Sequence, residues 1–427
     1  MPAKRASLAA LLAALSLWHI TPLQAAPSPQ TPPPVEAELL TLGTADELYA
    51  RFGHAAIRIG DTVYNYGYTE FDSSELMLDF VRGRALFWGE REDYHWGLRR
   101  YRAVDRTVIR QRLNLSPSEL RRLEELLAGV EQRYVYHHYN DNCATRLRDI
   151  LDEALGGAIK RKLVGQPHHP PKALEGPLTI RALMRRGFAK RFDLLLATAL
   201  FLGHRADLTL DSWQAGFLPE LLAQGLANVQ HGATPLLGPP QIVYQRRGPA
   251  HGVGAEDMSA VWALWGVSAA LLLLGLLALL LTKLRWRISG LIVLLFALVS
   301  TMLALPLWVL AAFSSIPELA RNEWALLFWP TDILLVGLGI ALLRGRFWQR
   351  RWLNHYVVLR LAGLLLFGVA HVVGLLYQRP LVLMAIAAVL LFTPWAVMRM
   401  LGPNCPSSEP DAPPGGETMH TIEPDQR

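Results

Sequence analysis

Residues 54–67 run His54-Ala55-Ala56-Ile57-Arg58-Ile59-Gly60-Asp61-Thr62-Val63-Tyr64-Asn65-Tyr66-Gly67, two short alternating stretches joined by a Gly-Asp pair that signals a tight hairpin. A two-residue turn sets Ile59 opposite Thr62, Arg58 opposite Val63, Ala56 opposite Asn65 and His54 opposite Gly67. Opposed residues share a sheet face, so His54, Arg58 and Asn65 project to one side, with Asn65 diagonal to His54 and Gly67 leaving space beside it. Ile57, Ile59 and Tyr64 take the other face and suit a core. The hairpin is apolar except for this polar constellation, which makes it the candidate site.

Upstream, Ala45 to Ala50 reads as a short helix. Downstream, Val108 to Leu115 alternates as a strand. Ser116, Pro117 and Glu119 form a helix start with a capping box, and that helix is predicted to run to about Glu131. Tyr134 to Tyr139 reads as another strand, leading through Asn140-Asp141-Asn142 into Cys143. Leu147, Ile150, Leu151, Ala154 and Leu155 then recur at helical spacing until Gly156-Gly157. Cys143 thus falls in the first turn of an amphipathic helix, where free backbone N–H groups and the helix dipole favour a thiolate and can hold an oxyanion. A thiol nucleophile needs a base, and the base needs an orienting partner. His54 and Asn65 fit those roles. His137 and His138 lie nearer in sequence and stay open as bases, and a buried structural cysteine is the plain alternative.

The ends of the chain set its location. Met1-Pro2-Ala3-Lys4-Arg5, an apolar run from Ala6 to Trp18 and Leu23-Gln24-Ala25 make a cleavable export signal, residues 1–25, with the mature chain starting at Ala26 and a solvated tail over 26–35. A globular domain is expected over 36–250 and a linker over 251–258. Five apolar stretches follow within 259–401: Ala260 to Leu281, Gly290 to Phe313, Trp324 to Leu343, Val357 to Tyr377 and Leu381 to Met400. Each is long enough to cross a hydrocarbon core of roughly 30 Å. Lys283, Arg285 and Arg287 follow the first, and Arg344, Arg346, Arg350 and Arg351 follow the third, which puts the N-terminal domain outside and the C-terminus inside. The Pro- and Gly-rich end, 402–427, reads as a disordered cytoplasmic tail. Cys143 and Cys405, the two cysteines, then lie on opposite sides of the membrane and cannot pair. The signal lacks a lipobox cysteine, so the chain is not expected to be a lipoprotein itself.

The formal net charge is +6. In an exported domain, the run Arg99, Arg100, Arg102, Arg106, Arg110 and Arg112 points to anionic lipid head groups rather than nucleic acid, or to a solvated basic face. No phosphate-cradling motif implies a nucleotide, and His168 and His169, in a Pro-flanked loop, are not joined by further metal ligands, so no cofactor or metal is expected. At 1.5 Å per residue, Asp332 lies roughly 12 Å and His371 roughly 9 Å below the outer surface. The two are placed to pair, either lining a substrate route or gluing helices together. Pro306 and Pro330 read as kinks.

Three segments together, Phe52-Gly53-His54-Ala55-Ala56-Ile57-Arg58, Tyr64-Asn65-Tyr66-Gly67 and Tyr139-Asn140-Asp141-Asn142-Cys143-Ala144-Thr145-Arg146-Leu147-Arg148-Asp149, resemble the Lnb-type lipoprotein N-acyltransferase family. Leu202-Gly203, Asp211 and Phe217-Leu218-Pro219 are similar to that family's later periplasmic region. The resemblance implies an α+β architecture: a periplasmic thiol-enzyme domain, permuted papain-like, followed by an all-α five-helix transmembrane bundle in the bacterial inner membrane. It also implies Cys143 as nucleophile and His54 as base, with membrane phospholipid and a lipoprotein as partners. Asn65 as orienter comes from the hairpin geometry. Arg58 is a candidate for holding a substrate phosphate or carboxylate, or for a surface salt bridge. An envelope cysteine hydrolase using the same pair, and a non-enzymatic scaffold, are the competing readings.

Overall fold

The computed structural model describes residues 36–168, 178–248, 255–345 and 351–401. The export signal, the tail over 26–35, His169, Arg346, Arg350, the first half of the linker and the end carrying Cys405 lie outside the described residues. From Ala37 onward the chain builds a sheet domain and a helical bundle.

The sheet contains β1 (Ala37–Leu42), β2 (His54–Ile59), β3 (Thr62–Tyr68), β4 (Leu86–Asp93), β5 (Val108–Arg112), β6 (Tyr134–Val135) and β7 (Gln241–Tyr244), in the order β6-β4-β3-β2-β1-β5-β7. The hairpin register is the one its turn dictates: Ile59↔Thr62, Arg58↔Val63, Ile57↔Tyr64 and Ala56↔Asn65. Alternation along β2 then sorts its side chains between two layers. Ala55, Ile57 and Ile59 join the main core, which Leu123 and Leu127 of one helix and Leu147 and Leu151 of another complete. Ala56 and Val63 face the opposite way, under Tyr94 and Leu98. The helices are α1 (Leu76–Arg82), α2 (Tyr94–Ala103), α3 (Pro117–Leu127) and α4 (Cys143–Ala154). So α2 covers the face that His54 and Asn65 share, and α3 and α4 cover the other.

Local chemistry explains where the elements start and stop. The Ser116 capping box and Pro117 open α3 as expected, although the helix ends at Leu127 rather than near Glu131, just before Gly129. The strand expected over Tyr134 to Tyr139 is only Tyr134–Val135. Beyond it the chain turns, because His137 Nδ1 accepts the N–H groups of Tyr139 and Asn140, both at 3.2 Å. His137 and Asp141 also exchange backbone hydrogen bonds. Such side-chain to backbone bonds compete with a strand ladder.

Further along lie α5 (Ile180–Gly187), α6 (Phe192–Phe201) and α7 (Pro219–Ala227), then α8 (Ser259–Leu281), α9 (Trp286–Phe313), α10 (Pro317–Ala320), α11 (Leu334–Leu343), α12 (Arg351–Val372) and α13 (Val382–Leu401). Among the described residues, α8, α9, α12 and α13 are long and apolar enough to cross a membrane. The third apolar stretch is not one helix. It belongs to a pair, Pro317–Leu326 and Pro330–Leu343, bent by 46°. Pro330 has no N–H to continue a helix, and a 3-10 turn over Pro330–Ile333 leads into α11 instead. A depth count at 1.5 Å per residue therefore does not apply to Asp332.

The sheet domain is stitched to the bundle. Ser315, just past the end of α9, donates its N–H (3.2 Å) and Oγ–H (2.8 Å) to the Arg82 carbonyl at the end of α1. Gln378 Nε2 and Asn322 Nδ2 each donate at 3.1 Å, to the carbonyls of Leu202 and Leu200. Ala199 of α6 packs inside the bundle's own apolar cluster.

Candidate active site

Asn142 fixes the nucleophile turn. Its Oδ1 accepts the N–H groups of Ala144 (2.9 Å) and Thr145 (3.0 Å), and Thr145 Oγ1 accepts the Asn142 N–H at 2.7 Å, closing a capping box. Its Nδ2 donates to the carbonyls of His138 and Phe217, at 2.8 and 2.9 Å. All the polar valences of this cap are thus used to hold one geometry, and Cys143 is the first residue inside it. The Cys143 side chain is partly buried. The backbone N–H groups of Ala55, Ala144 and Cys143 itself act on its sulfur in favour of the thiolate. The Ala55 group belongs to β2, one residue past His54.

Two glycines allow this approach. Gly53 has φ +80°, and a Cβ there would lie 2.8 Å from the Leu42 carbonyl oxygen, so only glycine can lead into His54 at this angle. Gly67 has φ +108°, and a Cβ there would sit 3.8 Å from Cys143 Cβ. The space that the hairpin reading placed beside His54 is where the cysteine comes.

His54 Nε2 lies 3.1 Å from Asn65 Oδ1, and Asn65 Nδ2 donates to Glu92 Oε2 at 3.0 Å. Glu92 in turn is paired with Arg100, Nη2 to Oε1 2.9 Å. The order of these contacts fixes the protons. The Glu92 carboxylate requires the amide NH2, so Asn65 presents its oxygen to His54, and an oxygen can only accept. Nε2 therefore carries the hydrogen, and Nδ1 keeps the basic lone pair. Burial pushes the Glu92 carboxyl up, while Arg100 and Asn65 pull it back toward the charged form.

Arg106 acts electrostatically on both groups. It is 8% exposed. Its Nε donates to the Gly43 carbonyl at 2.5 Å, next to Leu42, the strand partner of His54. Burial above all, then the Arg106 charge, hold His54 down at about 4. For Cys143, burial raises the thiol above its usual range, outweighing the three N–H groups and Arg106. The helix N-terminus alone argued for a thiolate. Desolvation wins instead, so at rest the thiol and the imidazole are both neutral, and among the described residues Sγ and the His54 ring are not hydrogen-bonded to each other.

The other sequence candidates fall elsewhere. His137 Nδ1 is occupied by its own turn, and its Nε2 faces Glu318 at 3.6 Å. The His138 ring packs among Phe80, Tyr136 and Tyr139. Both are parts of the turn. Arg58 does share the His54 face, but its Nη1 donates to Glu38 at 2.8 Å and its guanidinium lies 3.8 Å over the Tyr94 ring, so it is committed to a salt bridge rather than open to a substrate anion. Asp332 and His371 are not joined by any hydrogen bond or ion pair among the described residues. Asp332 is held bidentately by Arg360, at 2.8 and 2.9 Å, and also accepts from Tyr356 (2.6 Å) and Ser300 (2.5 Å). His371 stacks on Phe367. Arg360 also donates to the Leu327 carbonyl, freed where the third stretch breaks. Among the described residues no group of three His, Cys, Asp or Glu could hold a metal ion.

Glu92, Arg100 and Arg106 escaped the sequence reading. Glu92 joins the site because β3 pairs with β4 and sets Val63 against it, a long-range register that no turn signal announces. The arginine run was visible but read as one surface. In the fold Arg99 and Arg102 are exposed while Arg106 turns inward.

A cysteine at a capped helix start, a tautomer-fixed histidine on a hairpin and a stitched-on apolar bundle describe an integral membrane protein with an N-terminal sheet domain. Residues 31–186 match the Lnb N-terminal periplasmic domain, and the N-terminal part of this chain is such a domain, as the motifs implied. The match takes in His54, Asn65, Arg106 and Cys143. No curated protein and no solved structure matches the chain.

Proposed function

We propose that the protein is a thiol-dependent lipoprotein N-acyltransferase of the bacterial inner membrane. The observation that carries the reading is the Cys143 thiol at the capped start of α4, with the Ala55 N–H of β2 acting on its sulfur one residue from a histidine whose free nitrogen is fixed by Asn65 and Glu92. In the first step Nδ1 of His54 takes the thiol proton while Sγ attacks the carbonyl carbon of a lipid acyl ester. The C–O bond breaks, the leaving alcohol oxygen takes the proton from His54, and a thioester remains. In the second step the α-amine of the lipoprotein's N-terminal cysteine attacks the thioester. The amine proton passes through His54 to the departing sulfur, so ester and amine become amide and alcohol. The thioester suits an amine acceptor and replaces one hard step by two easier ones.

A cysteine on a helix start facing a strand histidine is also the plan of a permuted papain-like domain, the fold we assign to residues 36–250. A lipid substrate accounts for the bundle, since a soluble-substrate hydrolase needs no more than one anchor. The exposed apolar side chains of α1, Met77, Leu78 and Val81, support the same choice, because Ser315 ties that helix to the end of α9. Lys283, Arg285, Arg287 and Arg344, in the loops after the first and third apolar stretches, support a cytoplasmic C-terminus. The test is mass spectrometry of lipoprotein N-termini from cells whose N-acylation depends on this protein. N-acylated lipopeptides are expected with the wild type and not with Cys143→Ala at matched expression. Lipopeptides unchanged by the wild type would favour an envelope cysteine hydrolase, in which water replaces the amine.

A further inference from the structure

Among the described buried cations, Arg106 differs in what it lacks. Arg360 is saturated by Asp332 and a carbonyl. Arg181 is saturated by Asp207 and the carbonyls of Thr198, Leu202 and Gly203. Arg106 is also buried, though at 8% exposed less deeply than those two at 1%, yet no carboxylate forms an ion pair with it among the described residues, and its Nη2 is buried without a hydrogen-bond partner. The Tyr101 ring, 5.8 Å from the guanidinium carbon, covers it without neutralising it. Glu47 acts on its charge from nearby without forming an ion pair, so its burial is only partly compensated and Nη2 is open to a group that arrives. Its position says what. The Gly43 anchor holds it beside the His54 end of β2, and it is the largest charge acting on both Cys143 and His54.

We propose that Arg106 binds an oxygen anion of the acyl donor immediately beside the ester that Cys143 attacks. The proposal rests on Cys143 being the nucleophile. Guanidinium matches phosphate and carboxylate-like oxygens through paired N–H groups, and here Nε is engaged while Nη2 is free to turn to a ligand. Two sources supply such an oxygen. One is the phosphodiester of a glycerophospholipid donor, a few bonds from its acyl esters. The other is the oxyanion that develops on the ester carbonyl as sulfur adds.

The first test needs no acyl transfer. Full-length protein carrying Cys405→Ala is alkylated at Cys143 with iodoacetate, an anion, and with iodoacetamide, its neutral counterpart. The ratio of the two rates cancels any change in thiolate fraction. Arg106→Gln is expected to lower that ratio about tenfold, and Arg106→Lys to retain most of it. An unchanged ratio in a folded Arg106→Gln protein overturns the proposal. Should that variant not fold, dimethyl phosphate is expected to slow iodoacetamide labelling of the Arg106-containing protein while neutral trimethyl phosphate does not, and equal labelling with both overturns it. The sources separate on acyl-enzyme formation: Arg106→Gln slows only phosphatidylglycerol if the phosphodiester is bound, and slows phosphatidylglycerol and neutral diacylglycerol equally if the oxyanion is. No acyl-enzyme from either donor in the wild type would count against the acyltransferase reading, and the alkylation ratio would still decide the role of Arg106.

Discussion

Two of the buried polar networks among the described residues, one in the sheet domain and one in the bundle, differ in completeness. Around Asp332 each charged atom is answered: Arg360, Tyr356 and Ser300 fill the carboxylate, and the spare guanidinium N–H goes to the Leu327 carbonyl. Around Cys143 the fixing bonds are complete but the working atoms are left open, namely the Nδ1 lone pair of His54 and Nη2 of Arg106. A closed network in an apolar setting seals a broken span, since backbone groups freed at membrane depth must find partners within the protein. An open one keeps valences for a substrate.

The largest expected effect breaks only the open network. Cys143→Ala should abolish a hydroxylamine-sensitive acyl adduct, a loss on the order of 10³-fold or more, with the melting temperature unchanged; an intact adduct would remove the thiol from the chemistry. Next, Asp332→Leu leaves Arg360 uncompensated and should destabilise the bundle by about 3–5 kcal/mol, most of it recovered when Arg360→Leu is added. Thermal unfolding in detergent reads this. A double variant that is stable but inactive would turn the closed network into a functional one and collapse the contrast. Asn65→Leu frees the imidazole to take the wrong tautomer and should cut the acylation rate about 10²-fold with little effect on donor KM. Gly67→Ala has room beside Cys143, but its φ of +108° should cost about 1–3 kcal/mol of stability, read by denaturant titration. The smallest effect is a shift in pH dependence. His54 is a base only when neutral and titrates at about 4, so the rate should hold above that pH and fall below it. Arg106→Gln removes a charge that lowers His54 and should move this acid limb upward.

The hairpin and the start of α4 were legible because their signals are local. Gly60-Asp61 fixes the register of four residue pairs, and Asn142 with Thr145 caps the helix that carries Cys143. From those alone the sequence brings His54 to Asn65. It does not bring Glu92, which depends on how β4 docks, or the inward turn of Arg106, which depends on the Gly43 carbonyl 63 residues earlier. In the bundle the acid was noticed and its partner missed. Arg360 is the one arginine in the stretch Val357 to Tyr377, and a buried cation at that level calls for an anion. Asp332 was the better match for it than His371. Depth counting failed because it assumed a straight helix through Pro330.

Ser315 on the Arg82 carbonyl, Gln378 on the Leu202 carbonyl and the backbone bond from Gly203 to Glu318 pin the sheet domain to the bundle at separated points. A body held at several points cannot swing as one held by a single tether can. The sheet domain that carries Cys143 is thus held in one orientation to the apolar helices, like a tool clamped to a bench, and on the proposed function an acyl ester must be brought to it there.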